Sequence, residues 1–278
     1  MCKLLKVSRS RYYLWRREPA SKRQQEDVFL TEKVKSVFFE ERELCGTRVI
    51  KNRLEQRGTL ISRKRVARLL NEAGLVRKTK RKFQVTTDSK HNHFVAPNLL
   101  QRQFNPAEPN RVWAGDITYI PTRNGWLYLA TVMDLYSRKV VGWSMDTSMK
   151  ATLVNDALTM ALWRRKPDKG LIWHSDQGSQ YCSKSHRAIL KDHGIQQSMS
   201  RKGNCWDNAT SESFFSTIKG QLVELNNFAD QTEASAAIFE YIEVFYNNIR
   251  AHSANGYRAP AEFEAMQNDT RISKKSVL

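Results

Sequence analysis

Three acidic residues, Asp116, Asp176 and Glu212, carry the chemistry that this chain can offer. Glu212 lies in the stretch GNCWDNATSESFFSTIKG. Wound as a helix, that stretch sets Asn208, Glu212, Ser216 and Lys219 along one polar face and Phe214, Ile218 and Leu222 along another. A carboxylate with a lysine two turns further on can hold a metal ion beside a phosphate. Asp116 falls inside the apolar run from Val112 to Ile120, and Asp176 follows the apolar Leu171-Ile172-Trp173-His174 just before Gly178. Carboxylates buried in such places must be paired or bound to a cation. Two strands and one helix of a single sheet, each contributing a carboxylate, would make an oxygen-lined pocket for Mg²⁺ or Mn²⁺. Taken singly, each residue also has a plainer reading. Glu212 can be an exposed residue on an amphipathic helix, Asp116 an edge-strand surface residue, and Asp176 the cap of a turn.

The elements that must position these groups follow from composition and pattern. A chain of 278 residues with 40% hydrophobic content builds one or two globular domains. No window approaches the roughly 18 uninterrupted apolar residues of a membrane span, and no signal peptide opens the chain. A soluble, cytoplasmic protein with no membrane partner is therefore expected. Cys2, Cys45, Cys182 and Cys205 form no CxxC pair, which argues against a disulfide framework or a cysteine zinc site. The net charge of +18 favours a polyanionic partner, and nucleic acid fits best. Most of that charge sits early: residues 1–110 hold 26 basic and 11 acidic groups, whereas residues 111–278 hold 20 and 17. The first part reads as a grip on phosphates and the second as a nearly balanced catalytic domain.

Residues 1–76 read as a helical, helix-turn-helix DNA-binding region. Tyr12, Tyr13 and Trp15 mark a first short helix, and apolar spacing from Thr31 to Val76 continues the helical pattern. Gly58 marks a turn, Ser62 caps a helix, and Gly74 closes it. Arg63, Lys64, Arg65 and Arg68 near the start of that helix are candidate DNA contacts, although a solvated basic face is the alternative. Residues 77–110, basic and then proline-punctuated, read as a linker, with His91 and His93 belonging to it rather than to a metal site. Beyond Arg111 the pattern turns to strands. Strands are expected at Val112–Ile120, Trp126–Leu135 and Lys139–Trp143, with an Asn124-Gly125 hairpin between the first two. A helix over Ala151–Arg165, a strand at Leu171–His174, a helix near Ser183–His193 and a strand at Ile195–Met199 complete an α/β mixed sheet of ribonuclease-H type, spanning 111–225. Residues 226–278 read as a C-terminal helix and a basic tail.

Spacing makes the acidic set specific. Fifty-nine residues separate Asp116 from Asp176, 35 separate Asp176 from Glu212, and Lys219 lies seven positions beyond the glutamate. This D, D(35)E arrangement resembles the signature of DDE transposases and retroviral integrases. The words WAGDITYI, MDLYSRKVVGW, HSDQGSQY, DNATSESFFSTIK and FYNNIRAHSANGYRAPAEF resemble the OrfB-type transposase of the bacterial insertion sequence three family over nearly the whole chain. The resemblance implies that Asp116, Asp176 and Glu212 are catalytic metal ligands, for two Mg²⁺ or Mn²⁺ ions, and that Lys219 lies near the DNA end. It also implies terminal inverted repeats as substrate, a homo-oligomer on DNA, a nucleoid location, and an OrfA partner or OrfA-OrfB fusion. Arg250 and His252, in the C-terminal segment, are further candidate DNA contacts. Cys45 and Asn248-Ile249 depart from the family's pattern at positions touching DNA binding rather than chemistry. No His-His-Cys-Cys module opens the chain, so zinc is not expected.

Rival residues rank lower. Asp207 beside Asn208 reads as a helix cap, Asp134 precedes a turn, and His174 suits packing or orientation better than ligation of Mg²⁺. Ser175, Ser179 and Ser211 lack the elbow and ordered partners of a serine nucleophile. A DNA-binding regulator or a purely hydrolytic nuclease are the competing functional classes. The full acidic set with Lys219 argues against the first, and the helix-turn-helix region argues against the second.

Overall fold

The computed structural model describes residues 2, 4–17, 21–78, 95–201 and 205–266, and the chain divides into two compact units, Met1–Arg77 and Lys78–Leu278. His91, His93 and the tail after Met266 lie outside the described residues.

In the first unit, α1 (Arg9–Arg17) precedes three packed helices, α2 (Lys22–Glu40), α3 (Thr47–Gln56) and α4 (Arg63–Glu72). A reciprocal capping box starts α2: Ser21 Oγ accepts from the Gln24 backbone N–H, and the Gln24 side chain accepts from that of Ser21. Helix α2 therefore begins nine residues before the apolar pattern that first signals it, because a polar first turn is held by its cap rather than by core contacts. Ser62 caps α4 by accepting from the Arg65 N–H at 3.2 Å. Val34, Val37, Phe38, Ile50, Leu54, Val66 and Leu69 face one another in a core that excludes water.

The second unit holds the ribonuclease-H-type mixed sheet expected from the sequence. Strands β1 (Val112–Thr122), β2 (Gly125–Asp134) and β3 (Lys139–Asp146) form an antiparallel meander, and β4 (Ile172–Ser175) and β5 (Gln196–Met199) run parallel to β1 in the order β3-β2-β1-β4-β5. The Asn124-Gly125 turn closes the first hairpin, pairing Thr122 with Gly125. Helices α5 (Ala151–Arg165) and α6 (Lys184–Asp192) make the crossovers to β4 and β5. Helix α7 (Ala209–Gln221) packs on β1, and α8 (Gln231–Glu240) runs into a π-helical turn, Tyr241–Tyr246. Asn247 then both donates to and accepts from Val140, fixing this C-terminal segment to β3.

Two features go beyond the sequence pattern. Residues 95–110, read as linker, are packed on the sheet: Ala96 and Leu100 are buried, and the Leu99 N–H donates to Ser198 on β5. Short apolar contacts and single hydrogen bonds, rather than a regular element, hold this segment, so no periodicity announces it. The second feature is the seat of α5. A Cβ on Gly142 would lie 2.2 Å from the Ala157 carbonyl oxygen and 2.8 Å from the Ala161 Cβ, so the helix reaches β3 only because that position has no side chain. Gly142→Ala is expected to lower unfolding free energy by about 1–3 kcal/mol, the usual range for overpacking, as read from denaturant titration. Unaltered stability would show that α5 can ride away from the sheet.

Candidate active site

The parallel register of β1 and β4 brings the two aspartates together. Ala114 stands opposite His174, and Asp116 and Asp176 each lie two residues further on. With a side-chain period of two and strands about 4.8 Å apart, both carboxylates leave the sheet on the same side at its C-terminal β4 end. Asp116 Oδ1 accepts from the Ile117 N–H at 2.8 Å, and its Oδ2 accepts from Asn208 Nδ2 at 3.0 Å. Asp176 Oδ1 accepts from the Gly178 N–H at 2.8 Å. A Cβ on Gly178 would come within 2.9 Å of that same oxygen, so glycine is what lets the loop close on the carboxylate.

Burial raises the Asp116 carboxyl well above the ordinary carboxylate range. The charge of Asp176 raises it further and Glu212 adds a smaller push, against the two stabilising hydrogen bonds. Tyr181, wholly inside the core, is raised by burial and then by the same two aspartates. Among the described residues its hydroxyl has no hydrogen-bond partner.

Glu212 sits in the first turn of α7, exposed, with a carboxyl raised by partial burial. Ser211, Phe214, Phe215 and Ile218 form the buried side of that helix. Two turns on, Lys219 Nζ lies 4.7 Å from the centre of the Tyr119 ring on β1. Burial lowers its pKa, and Asp116 then opposes the shift. Lys219 and Glu212 thus act electrostatically on the same half-buried aspartate, Asp116. Among the described residues, no three His, Cys, Asp or Glu side chains are gathered closely enough to hold one metal ion. The three carboxylates share an electrostatic neighbourhood without meeting at ligating distance, which is the spacing that like charges favour.

The residues nonetheless suit a hard divalent ion. Their donors are all oxygens, and the crowding that raises Asp116 is what a cation relieves. Asn208 also offers a buried Oδ1 that has no partner among the described residues, while its Nδ2 holds Asp116.

A buried lattice of hydrogen bonds fixes the start of the Glu212 helix. His174 Nε2 lies 2.9 Å from the Asp207 carbonyl oxygen and Nδ1 lies 2.9 Å from Ser198 Oγ. A carbonyl can only accept, so Nε2 carries the proton and Nδ1 accepts from the serine. Burial lowers the pKa of the ring, consistent with that neutral tautomer. His174 is therefore an orienting residue. Asp207 does not cap α7, although its place beside Asn208 suggests a cap. It is fully buried, and hydrogen bonds from Arg201 and then Arg102 hold its carboxyl below the usual carboxylate range.

The candidate DNA contacts divide in two. Arg63 and Lys64 are exposed at the start of α4. Arg65 binds Asp27 at 2.8 Å and Glu26 at 3.0 Å, while Arg68 binds Asp27 at 2.6 Å and Glu72 at 3.0 Å, so both tie α4 into its own unit. Arg250 Nε donates to Gln221 Oε1 at 3.0 Å. His252 Nδ1 accepts from the Ala254 N–H, and burial pushes its pKa down to about 4. Sequence reasoning missed the roles of Asn208 and Tyr181. Asn208 was legible as a member of the Glu212 face, but nothing in the pattern shows that a buried tyrosine lies beside two aspartates.

Comparison with known proteins shows the family of the chain. Integrase core domain models match residues 106–205 and 193–260, and an HTH-like domain model matches residues 24–83. The Insertion element IS600 uncharacterized 31 kDa protein of Shigella sonnei is 46% identical, over 95% of this chain and 97% of that protein. Transposase InsF for insertion sequence IS3A of Escherichia coli (strain K12) is 43% identical, over 95% and 92%. Transposase for insertion sequence element IS904 of Lactococcus lactis is 43% identical, over 88% and 96%. Among solved structures, the trimeric HTLV-2 integrase catalytic core domain in complex with magnesium covers 56% of this chain and 97% of its own, at 16% identity and a TM-score of 0.42. With an integrase core, a helix-turn-helix-like region and near-full-length relatives of this identity, the chain belongs to the IS3 family of insertion-sequence transposases.

Proposed function

We propose that Asp116, Asp176 and Glu212 are the catalytic, metal-holding residues with which this transposase cuts the terminal inverted repeats of its element and joins the ends. The observation that supports this most is the register: Asp116 and Asp176 stand two residues past a paired position on neighbouring parallel strands, with the Glu212 helix packed on the first. A pair of Mg²⁺ or Mn²⁺ ions bound there would activate water, and then a DNA 3′-hydroxyl, for in-line attack on a phosphodiester. The protein's own contribution is positional. Ile117 and Asn208 orient the two oxygens of Asp116, the Gly178 N–H orients Asp176, and α7 carries Glu212 to the open side of the pair. Lys219, held over Tyr119 beside Asp116, meets a terminal phosphate. Arg63 and Lys64 contact flanking backbone. Because two ends must be joined, the working form is a homo-oligomer on DNA, paired with an OrfA product or fused to it, in the bacterial cytoplasm at the nucleoid.

Glu212→Gln is expected to reduce both cutting and joining of labelled inverted-repeat DNA by at least about 100-fold, the scale of the several kcal/mol that bound metal supplies, and to leave DNA affinity within a few fold. Cutting that survives this change would overturn the role of Glu212. Mn²⁺ should raise the melting temperature of the wild-type protein and raise it less in Asp116→Asn, since a ligand bound only to the folded state stabilises it. An equal rise in both would move the metal elsewhere. The double change Arg63→Gln/Lys64→Gln should lower the slope of log affinity against log salt by about 1.8, or about 0.9 for each phosphate no longer neutralised. An unchanged slope would make these residues a solvated face only.

A further inference from the structure

The β1-β2 hairpin carries an exposed aromatic that the proposed reaction does not use. Trp126, 50% exposed, follows the Asn124-Gly125 turn, and its indole meets the Tyr119 ring edge to face, with centroids 4.9 Å apart and planes at 87°. An edge-to-face contact occupies at most one face of the indole, so the other is free of Tyr119. Among the described residues, the side chains of Trp126 and of Arg123, exposed in the same turn, make no hydrogen bond or ion pair. The turn itself is pinned from behind. The Arg123 N–H donates to the Phe228 carbonyl at 3.0 Å, and Gln231 Nε2 donates to that of Asn124 at 2.8 Å. A large ring on so fixed a seat can take a flat partner at little cost in side-chain freedom.

Charge beside the indole points to the partner. Lys219 Nζ lies 4.7 Å from the centre of the same Tyr119 ring, so ammonium, phenol ring and indole form one strip, with Arg123 in the adjoining turn. Cations interleaved with aromatic rings are what grips unpaired nucleic acid, with phosphates on the cations and bases on the rings. An apolar protein surface would have to desolvate both cations instead. The distance from the acidic set also fits. Tyr119 lies three residues beyond Asp116 on β1, about 10 Å at the rise of a strand, or about three stacked nucleotide steps. Its odd offset turns it to the other face of the strand. However, β1 pairs with β4 only from Val112 to Ala114, and Lys219 reaches the ring from α7 past that stretch. A base inside a duplex keeps its faces in the stack, and only an unpaired one can lay a face on the indole.

We infer that Trp126, braced by Tyr119, is a stacking platform for an unpaired base at the DNA end whose phosphate Lys219 meets. The platform rests on the proposed contact of Lys219 with a terminal phosphate, and separate variants read the two. The test uses the full-length protein in EDTA and two duplexes carrying the element's terminal repeat, one fully paired and one with its terminal base pairs mismatched. The wild type should bind the mismatched duplex several-fold more tightly. Trp126→Ala, at an exposed position, should keep the wild-type melting temperature and its affinity for the paired duplex. Its affinity for the mismatched duplex should fall by about 5-fold or more, the scale of one base stacked on an aromatic ring. Its salt slope should not change, because a stacking contact releases no counterion. Trp126→Phe should recover most of the preference. The fluorescent base 2-aminopurine at a mismatched position should be quenched on binding the wild type and stay bright with Trp126→Ala. An equal loss of affinity for both duplexes, no loss for either, or quenching that survives Trp126→Ala would overturn the platform. Lys219→Gln should lower the salt slope by about 0.9 and keep the preference for mismatched ends. An unchanged slope there would instead count against the phosphate contact and leave the Trp126 result standing.

Discussion

Two carboxylates side by side on neighbouring parallel strands are the constraint around which the catalytic unit is arranged. The Ala114–His174 pair in the ladder sets Asp116 and Asp176 level with each other, and mutual repulsion with burial lifts the Asp116 carboxyl well above its ordinary range. A one-residue slip between β1 and β4 would turn one of them to the opposite face. The core underneath works against any such slip. Trp113 and Trp173 are both fully buried, and a Cβ on Gly115 would come within 2.3 Å of the Trp173 ring. A bulky ring fits over that position in one register alone, so the packing of a tryptophan on a glycine indirectly sets the spacing of the acidic pair.

The third carboxylate depends on a different kind of order. Helix α7 packs on β1 through its apolar side, but the residues just before it are anchored by polar bonds. His174 reaches the Asp207 carbonyl, Ser198 completes the histidine, and the Leu99 and Leu100 N–H groups donate to the same serine. The segment before β1 is thereby connected to the helix that bears Glu212. Buried polar networks of this sort specify one arrangement when they are fully satisfied.

Most of the strand-and-helix order of this unit was legible in the sequence, because alternation in β1 and β2, the Asn-Gly turn and the helical period of α5 are local signals. The three acidic residues stand out in the sequence through their spacing and neighbouring words, and the ladder sets Asp116 and Asp176 level on neighbouring strands. What stayed hidden is set by contacts between distant segments. Residues 95–110 look like linker because they lack periodicity, yet Ala96 and Leu100 are buried. Asp207 looks like a cap because it sits one residue before Asn208 at the start of a helix, yet its partners are Asn98, Arg102 and Arg201. The basic face of α4 is readable as four charges. That Arg65 and Arg68 turn back onto Asp27 depends on how α2 packs, which no local pattern reveals.

The contrast between two buried aspartates and the half-buried Asp116 is the clearest physical mark of the candidate site. Asp134 is fully buried and meets Arg165 at 3.1 Å, and Asp207 is fully buried and meets two arginines. In both, a fixed guanidinium neutralises the charge, as the cost of desolvation demands. Asp116 is bonded instead by a backbone N–H and the neutral amide of Asn208, with another carboxylate facing it and Lys219 seated over the Tyr119 ring. Among the described residues the chain thus supplies arginine where a carboxylate has only to be buried and sets none against Asp116 at the end of the sheet. An arginine there would satisfy Asp116 permanently and leave no role for the divalent ion proposed at it. Neutral donors fix the direction of its oxygens without cancelling their charge, which is the arrangement that the proposed metal-holding role requires.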